Sequence, residues 1–234
     1  MNVVQLSEQL LLAVKKREPT GRFVAVMEAL PFEALTGALD TDSRKLAFWI
    51  NIYNAWFQIL RSERHAGKPE IYRQRLVALA GKTFSLDDIE HGILRKYRFK
   101  WALGYLPDPF AREEVKKLAV SQRDWRIHFA LNCGAVSCPP IAFYTPGKIT
   151  AQLDMATLSF LEAETGIFPE KKEIHITRLF YWFIGDFGGR SGIRRILREI
   201  LDIETSGWSL VFKDYDWEEK LVHFAEPEPA LTER

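Results

Sequence analysis

From Arg44 to about Ser62 the chain reads Arg-Lys-Leu-Ala-Phe-Trp-Ile-Asn-Ile-Tyr-Asn-Ala-Trp-Phe-Gln-Ile-Leu-Arg-Ser, apolar on nearly every side of a helix. A helix that is hydrophobic all round has no face to offer water, so it belongs in the middle of a fold. Trp49, Tyr53, Trp56 and Phe57 point in several directions and must each be covered by other elements. Ser43 is placed to cap its start. Asn51, Asn54 and Gln58 follow at spacings of three and four and form a polar line. Buried amides need hydrogen-bond partners, so this line pins loops or faces a site. The same three residues interrupt the longest apolar run, which rules it out as a membrane span.

The flanking sequence supplies shorter helices and few strands. Val3, Leu6, Leu10 and Val14 recur at helical spacing over residues 3–17. A second helical stretch spans about 22–39 and breaks at Pro31. Ser85 and Asp88 have the form of a capping box with Asp in place of Glu, opening a helix over 86–97. Helices are also expected at 113–120, 149–163, 179–184 and 193–201, the last two parted by Gly188-Gly189. Alternation predicts strands at 125–131, 173–177 and 208–212. The expected fold class is α+β: one mostly helical domain over residues 1–217 around a small β-sheet. From Glu218 the chain becomes charged and proline-bearing, so 218–234 reads as a C-terminal tail.

A chain of 234 residues that is 47% hydrophobic can build a substantial core. Its 32 basic and 31 acidic residues create no field that would draw nucleic acid or an anionic membrane. The first residues lack the basic, apolar and small-residue regions of an export signal. Two cysteines in a domain this large fit a reducing compartment, and the expected location is the cytoplasm.

Both cysteines lie in Asp124-Trp-Arg-Ile-His128-Phe-Ala-Leu-Asn132-Cys133-Gly-Ala-Val-Ser137-Cys138-Pro-Pro140. Alternation puts His128 and Asn132 on one strand face and Ile127, Phe129 and Leu131 on the other. A helix starting at Pro139 or Pro140 would make Cys138 its N-cap, where unpaired N–H groups favour a thiolate. As a nucleophile Cys138 needs a base and donors for an oxyanion. His91 and His128 precede it, and His175 and His223 follow. A base upstream of its cysteine would be a circularly permuted version of the papain-like order. On the helix at 86–97, Asp87, His91 and Arg95 share a face, so Asp87 can orient the His91 imidazole. Against these stand plain structural readings: a buried cysteine packs as a small hydrophobe, and an i,i+4 pair can be a surface feature. Strand alternation separates His128 from Cys133 and disfavours a zinc site. A Cys133–Cys138 disulfide is geometrically open but suits an oxidising compartment.

These stretches, with Ala47-Phe-Trp-Ile-Asn51-Ile-Tyr-Asn54-Ala, Ser85-Leu-Asp-Asp-Ile-Glu90-His91-Gly-Ile-Leu-Arg95, Phe180-Tyr-Trp-Phe-Ile-Gly-Asp186-Phe and Tyr215-Asp216-Trp217, resemble the family called domain of unknown function 547. The resemblance runs from Arg44 to Trp217 in the expected order. It departs after Trp217, where a charged stretch replaces the Ser-Leu-Asn of the pattern. It implies a family without bringing a reaction, and it draws Asn51 toward a site role. Candidate substrate contacts are Asn51, Arg95, Asn132 and Ser137. Asp186-Phe187-Gly188 lacks the glycine-rich loop, strand lysine and His-Arg-Asp loop of a kinase, and no Walker, nucleophile-elbow or dinucleotide motif is present. No cofactor or metal is therefore expected. The sequence points to thiol-dependent hydrolysis or acyl or peptide-bond transfer at Cys138. His91 or His128 would act as base, Asp87 as orienter and backbone N–H groups near Cys138 as oxyanion donors, on a peptide, amide or protein partner. The rival is a non-enzymatic binding or scaffold module with the cysteine motif as a rigid turn.

Overall fold

A computed structural model describes residues 2–226. Helix α1 (Val3–Lys16) opens on a reciprocal cap, in which Asn2 Oδ1 accepts the Gln5 N–H at 2.9 Å and Gln5 Oε1 accepts the Asn2 N–H at 3.1 Å. Its apolar face lies against α4. Helices α2 (Gly21–Glu28) and α3 (Phe32–Ala38) part at Pro31, and α4 runs Asp42–Ser62. Every residue of α4 from Leu46 to Leu60 is buried, so this helix is the axis of the packing. Its cap is Thr41, whose hydroxyl accepts the Arg44 N–H, two residues earlier than the Ser43 that the sequence indicates.

Helix α5 (Glu70–Arg73) precedes an antiparallel hairpin of β1 (Val77–Leu79) and β2 (Lys82–Phe84), which the sequence reading does not anticipate. Ala80 and Gly81 both take positive φ there, the backbone of a tight hairpin turn. The Ser85–Asp88 capping box forms as expected, with bonds of 2.9 and 3.0 Å. The helix it opens is nevertheless a π-helix, Asp88–Leu94. Arg95 N–H reaches Glu90 O at 2.9 Å and Tyr97 N–H reaches Gly92 O at 2.6 Å, each five residues back. Gly92 faces Val115 so closely that a Cβ would sit 2.5 Å from its Cγ1.

After α6 (Glu113–Leu118), the expected strand at 125–131 is instead a 3-10 turn, Trp125–Phe129. Asp124 caps it by accepting the Arg126 N–H at 3.0 Å, and Ile127, His128 and Phe129 are all buried. The apolar-polar alternation is misleading because His128 is as deeply packed as its neighbours. No helix begins at Pro139. The Cys138 N–H closes a turn on Ala135 O at 3.0 Å, and the prolines send the chain out extended. Cys138 is therefore not an N-cap.

Helix α7 (Ile149–Glu164) leads to β3 (Gly166–Phe168) and β4 (Glu173–Ile176), then α8 (Leu179–Trp182), α9 (Gly189–Leu201) and β5 (Ser209–Phe212). The strands form one small sheet in the order β3-β4-β5, antiparallel then parallel. The fold is thus α+β and mostly helical, as expected. Packing continues beyond Trp217. Glu219 bridges Ala135, Phe224 bridges Ile141, and the Phe224 ring stacks on Phe143 at 5.9 Å. Residues 218–225 are part of the packed structure, whereas 227–234 lie outside the described residues. Among the described residues no helix is long and apolar enough to cross a membrane.

Candidate functional site

One cavity of about 320 Å³ collects most of the predicted chemistry. Its walls include Asp87, Glu90 and His91 from the π-helix and its entry, His128 from the 3-10 turn, Cys133 and Cys138 from the turn after it, and Tyr215 from the segment after β5. Trp101, Trp182, Phe183 and Trp217 give it an aromatic lining. A largely apolar pocket with a few convergent polar groups is the usual form of a binding or catalytic site.

The sulfurs of Cys133 and Cys138 are paired as a disulfide. The sequence left this pairing open, and it removes the cysteine count as an argument about compartment. Cys138 Sγ also accepts the Cys133 N–H at 3.0 Å and lies 3.1 Å from the Tyr215 hydroxyl, which is 3.3 Å from Cys133 Sγ. No imidazole nitrogen is among its hydrogen-bond partners. Burial pushes the Tyr215 phenol well above its ordinary value, so it stays a proton donor across the physiological range. Cys138 is only 3% exposed, while Cys133 is half-buried.

His128 is buried and its Nε2 lies 2.9 Å from Asp186 Oδ2. Its ring stacks on Phe183 at 3.9 Å. Burial outweighs the carboxylate and lowers the imidazole to about 4. The neutral ring donates Nε2–H to Asp186 and keeps its lone pair on Nδ1. Burial alone would raise the Asp186 carboxyl, but the His128 hydrogen bond and the Arg95 guanidinium, with Nε 2.6 Å away, hold it below the usual carboxylate range. Arg123 adds a second contact at 2.9 Å.

His91 is differently placed. Arg95 Nη1 donates to its Nδ1 at 2.7 Å, which leaves Nε2–H toward Asp87 Oδ1 at 3.6 Å. Burial, then the Arg95 charge, push its pKa well below the ordinary value. Its only basic nitrogen is thereby engaged, and Asp87 is itself tied to Lys100 Nζ at 2.7 Å. The carboxylate–imidazole pair in the site is therefore Asp186–His128, and Asp186 is the residue that sequence reasoning passed over. Its signal was present: Asp186 lies in one of the stretches that carry the family resemblance.

Glu90 was also missed. Its carboxyl is 3.2 Å from the Tyr53 hydroxyl and 3.8 Å from His91. Burial, reinforced by Asp87 and opposed by Arg95, raises it to about 7. A carboxyl poised near neutrality can exchange a proton in either direction.

The remaining candidates hold the scaffold. Asn51 bonds Tyr144 through both ends of its amide, at 2.8 and 3.0 Å. Asn132 accepts the Gly134 N–H at 2.8 Å and donates to Pro139 O at 2.7 Å, which sets the cysteine turn. Ser137 Oγ accepts the Asp216 N–H at 2.9 Å. None of Asn51, Arg95, Asn132 and Ser137 lines the cavity, and neither do His175 and His223. The expected backbone oxyanion donors are also engaged: the N–H groups of Val136, Ser137 and Cys138 bond Glu218, Asp216 and Ala135. Donors facing the cavity include two phenols. Tyr72 Oη is buried without a partner, and Tyr215 Oη sits at the sulfurs.

Fold and site together define a mostly helical α+β domain in which a cysteine pair, a near-neutral carboxyl and a histidine backed by a buried aspartate meet in one aromatic cavity. Residues 38–161, more than half of the chain, match the family described as "Protein of unknown function, DUF547", and the chain belongs to that family. The match takes in α4, the π-helix and the cysteine turn, while Asp186 and Tyr215 lie beyond it. No curated protein and no solved structure matches the chain.

Proposed function

We propose that this protein is a thiol-dependent hydrolase or acyl transferase whose active form is the dithiol, with Cys138 as nucleophile. The observation that carries the reading is the convergence of both sulfurs, His128 and Glu90 on one cavity. In the dithiol, the Cys138 thiolate accepts the Cys133 N–H and the Tyr215 O–H, two bonds that favour the charged form. It attacks an acyl carbon and forms a thioester while the leaving amine or alcohol departs with a proton from Glu90. Water then attacks the thioester, losing its proton to Nδ1 of His128. Cys138 leaves as the thiolate, and the imidazolium gives its proton through solvent to the Glu90 carboxylate, which restores both groups. Asp186 holds the imidazole and stabilises its protonated form. Tyr72 and Tyr215 are the donors for the oxyanion. The aromatic walls suit an apolar or aromatic group on a peptide, amide or protein, and the dithiol form belongs to a reducing setting such as the cytoplasm.

One observation favours a second reading. The Cys138 sulfur is almost fully buried and bonds no imidazole, as expected of a binding module in which the disulfide stiffens a turn. An activity-based electrophile and a set of small thioesters and esters, applied to the reduced protein, separate the two. The enzyme reading expects acylation of Cys138 that is lost in Cys138→Ala and at least tenfold slower in His128→Gln and Asp186→Asn. Folded reduced protein that is acylated at neither cysteine makes the binding module the better account.

A further inference from the structure

The disulfide closes a loop of only four intervening residues, and the turn it spans is already held without it. Asn132 fixes Gly134 and Pro139, Ala135 O accepts the Cys138 N–H at 3.0 Å, and Asp216 N–H anchors Ser137. A cross-link over so short a loop constrains the unfolded chain less than a long one would. Both sulfurs, moreover, line the cavity instead of lying behind it. They differ in one respect that gives the bond a direction. Cys133 is half-buried and reachable, whereas Cys138 is nearly inaccessible but alone accepts the Cys133 N–H, and the Tyr215 hydroxyl is nearer to its sulfur, at 3.1 Å against 3.3 Å for Cys133.

We propose that the Cys133–Cys138 disulfide is a reversible redox switch opened from the Cys133 side by a dithiol reductant, which frees Cys138 as the stabilised thiolate. This rests on the preceding reading for its consequence, since it makes that site latent when oxidised and competent when reduced. A reductant thiolate attacks Cys133 Sγ, forming a mixed disulfide there. The Cys133–Cys138 bond breaks, and its electron pair leaves with Cys138 Sγ, where the two donors receive it. The second thiol of the reductant then attacks its own sulfur in the mixed disulfide. That step releases Cys133, which takes up a proton, and leaves the reductant as its cyclic disulfide. Two electrons pass from the dithiol to the protein. The better-stabilised thiolate is the better leaving group, which is why the attack is directed at Cys133.

The test uses the full chain and no substrate. Oxidised protein treated briefly with glutathione, acid-quenched and mapped by peptide mass should carry the mixed disulfide at Cys133. Dithiothreitol should then make Cys138 alkylate with iodoacetamide at a pH midpoint below the ordinary thiol value of about 8.5. Cys133→Ser should alkylate at Cys138 with no reductant at all. Tyr215→Phe should raise the midpoint by about one pH unit, the loss of one hydrogen bond to a charged group. The switch is overturned if the folded protein resists dithiothreitol until it is denatured, or if glutathione is found on Cys138. Because every readout is a covalent mass or an alkylation rate, a working switch with no acyl transfer sinks only the enzymatic reading. Acyl transfer at Cys138 in protein whose two cysteines alkylate without any reductant sinks only the switch.

Discussion

Glu90 and His128 are two buried groups whose burial acts on stability in opposite directions. The Glu90 carboxyl is raised from 4.5 to about 7, so the folded chain holds a proton that the unfolded chain has lost. The stability it contributes is full below about pH 4.5 and disappears as pH rises through 7. The His128 imidazole is lowered from 6.5 to about 4, so the unfolded chain binds a proton that the folded chain refuses. Its contribution is full above about pH 6.5 and is lost as pH falls toward 4. Between 4.5 and 6.5 the two slopes cancel. Glu90→Gln removes one of them. Thermal melts should show the variant close to the parent at pH 5 and more stable at pH 8, by on the order of 2 kcal/mol. An equal difference at both pH values would mean that Glu90 is not protonated by burial. Neither group announces this in the sequence, because burial is a property of what surrounds a residue. Asp186 shows the same limit: its partners lie 58 and 91 residues away.

At the scale of elements, the polar line on α4 does the positioning. Asn54 Nδ2 donates to Ala130 O and its Oδ1 accepts the Asn132 N–H, both at 2.9 Å, and so it ties the central helix to the entrance of the cysteine turn. Asn54→Ala would leave two buried backbone groups without partners. The expected cost is about 2–4 kcal/mol, read as a fall in the denaturation midpoint. Asn54→Asp, which keeps the acceptor but loses the donor, should cost less at low pH than at neutral pH. A loss below about 0.5 kcal/mol for Asn54→Ala would show that water replaces the amide. Much of this scale was legible beforehand, because α4, α1 and α7 each carry long periodic patterns that local chemistry alone can read. The 3-10 turn at Trp125 was not, since five residues with His128 buried among apolar neighbours satisfy a strand template equally well. The π-helix was also hidden: it accompanies the seating of Gly92 against Val115, a contact between segments that no local pattern announces.

Across the whole molecule, the cavity lies at the seam of two apolar cores. One gathers α1, α4 and the π-helix, and the other gathers α8, α9 and the three-stranded sheet. Helix α7 serves both, with Ile149 and Leu153 in the first and Phe160 and Leu161 in the second. The 3-10 turn divides likewise, Ile127 to one core and Phe129 to the other. The two sides of the site are thus held by separate cores, and the segment from Glu218 to Ala225 helps to fasten the first of them. Its backbone bonds Gly134, Val136 and Ile141, and the Val222 N–H reaches Gln58 of α4 at 2.9 Å. A charged composition hid this role, since the apolar anchors Leu221 and Phe224 are spaced too sparsely to form a pattern. Truncation after Trp217 should therefore lower stability by on the order of 3 kcal/mol, about 1 for each of several lost hydrogen bonds less some recovery by water. Amide hydrogen exchange would locate the effect: protection should fall first at residues 134–141, while α9 and the three-stranded sheet, held by the second core, keep theirs. Uniform loss of protection across both cores would mean that they do not unfold separately, and unchanged protection at 134–141 would mean that the cysteine turn stands without this segment.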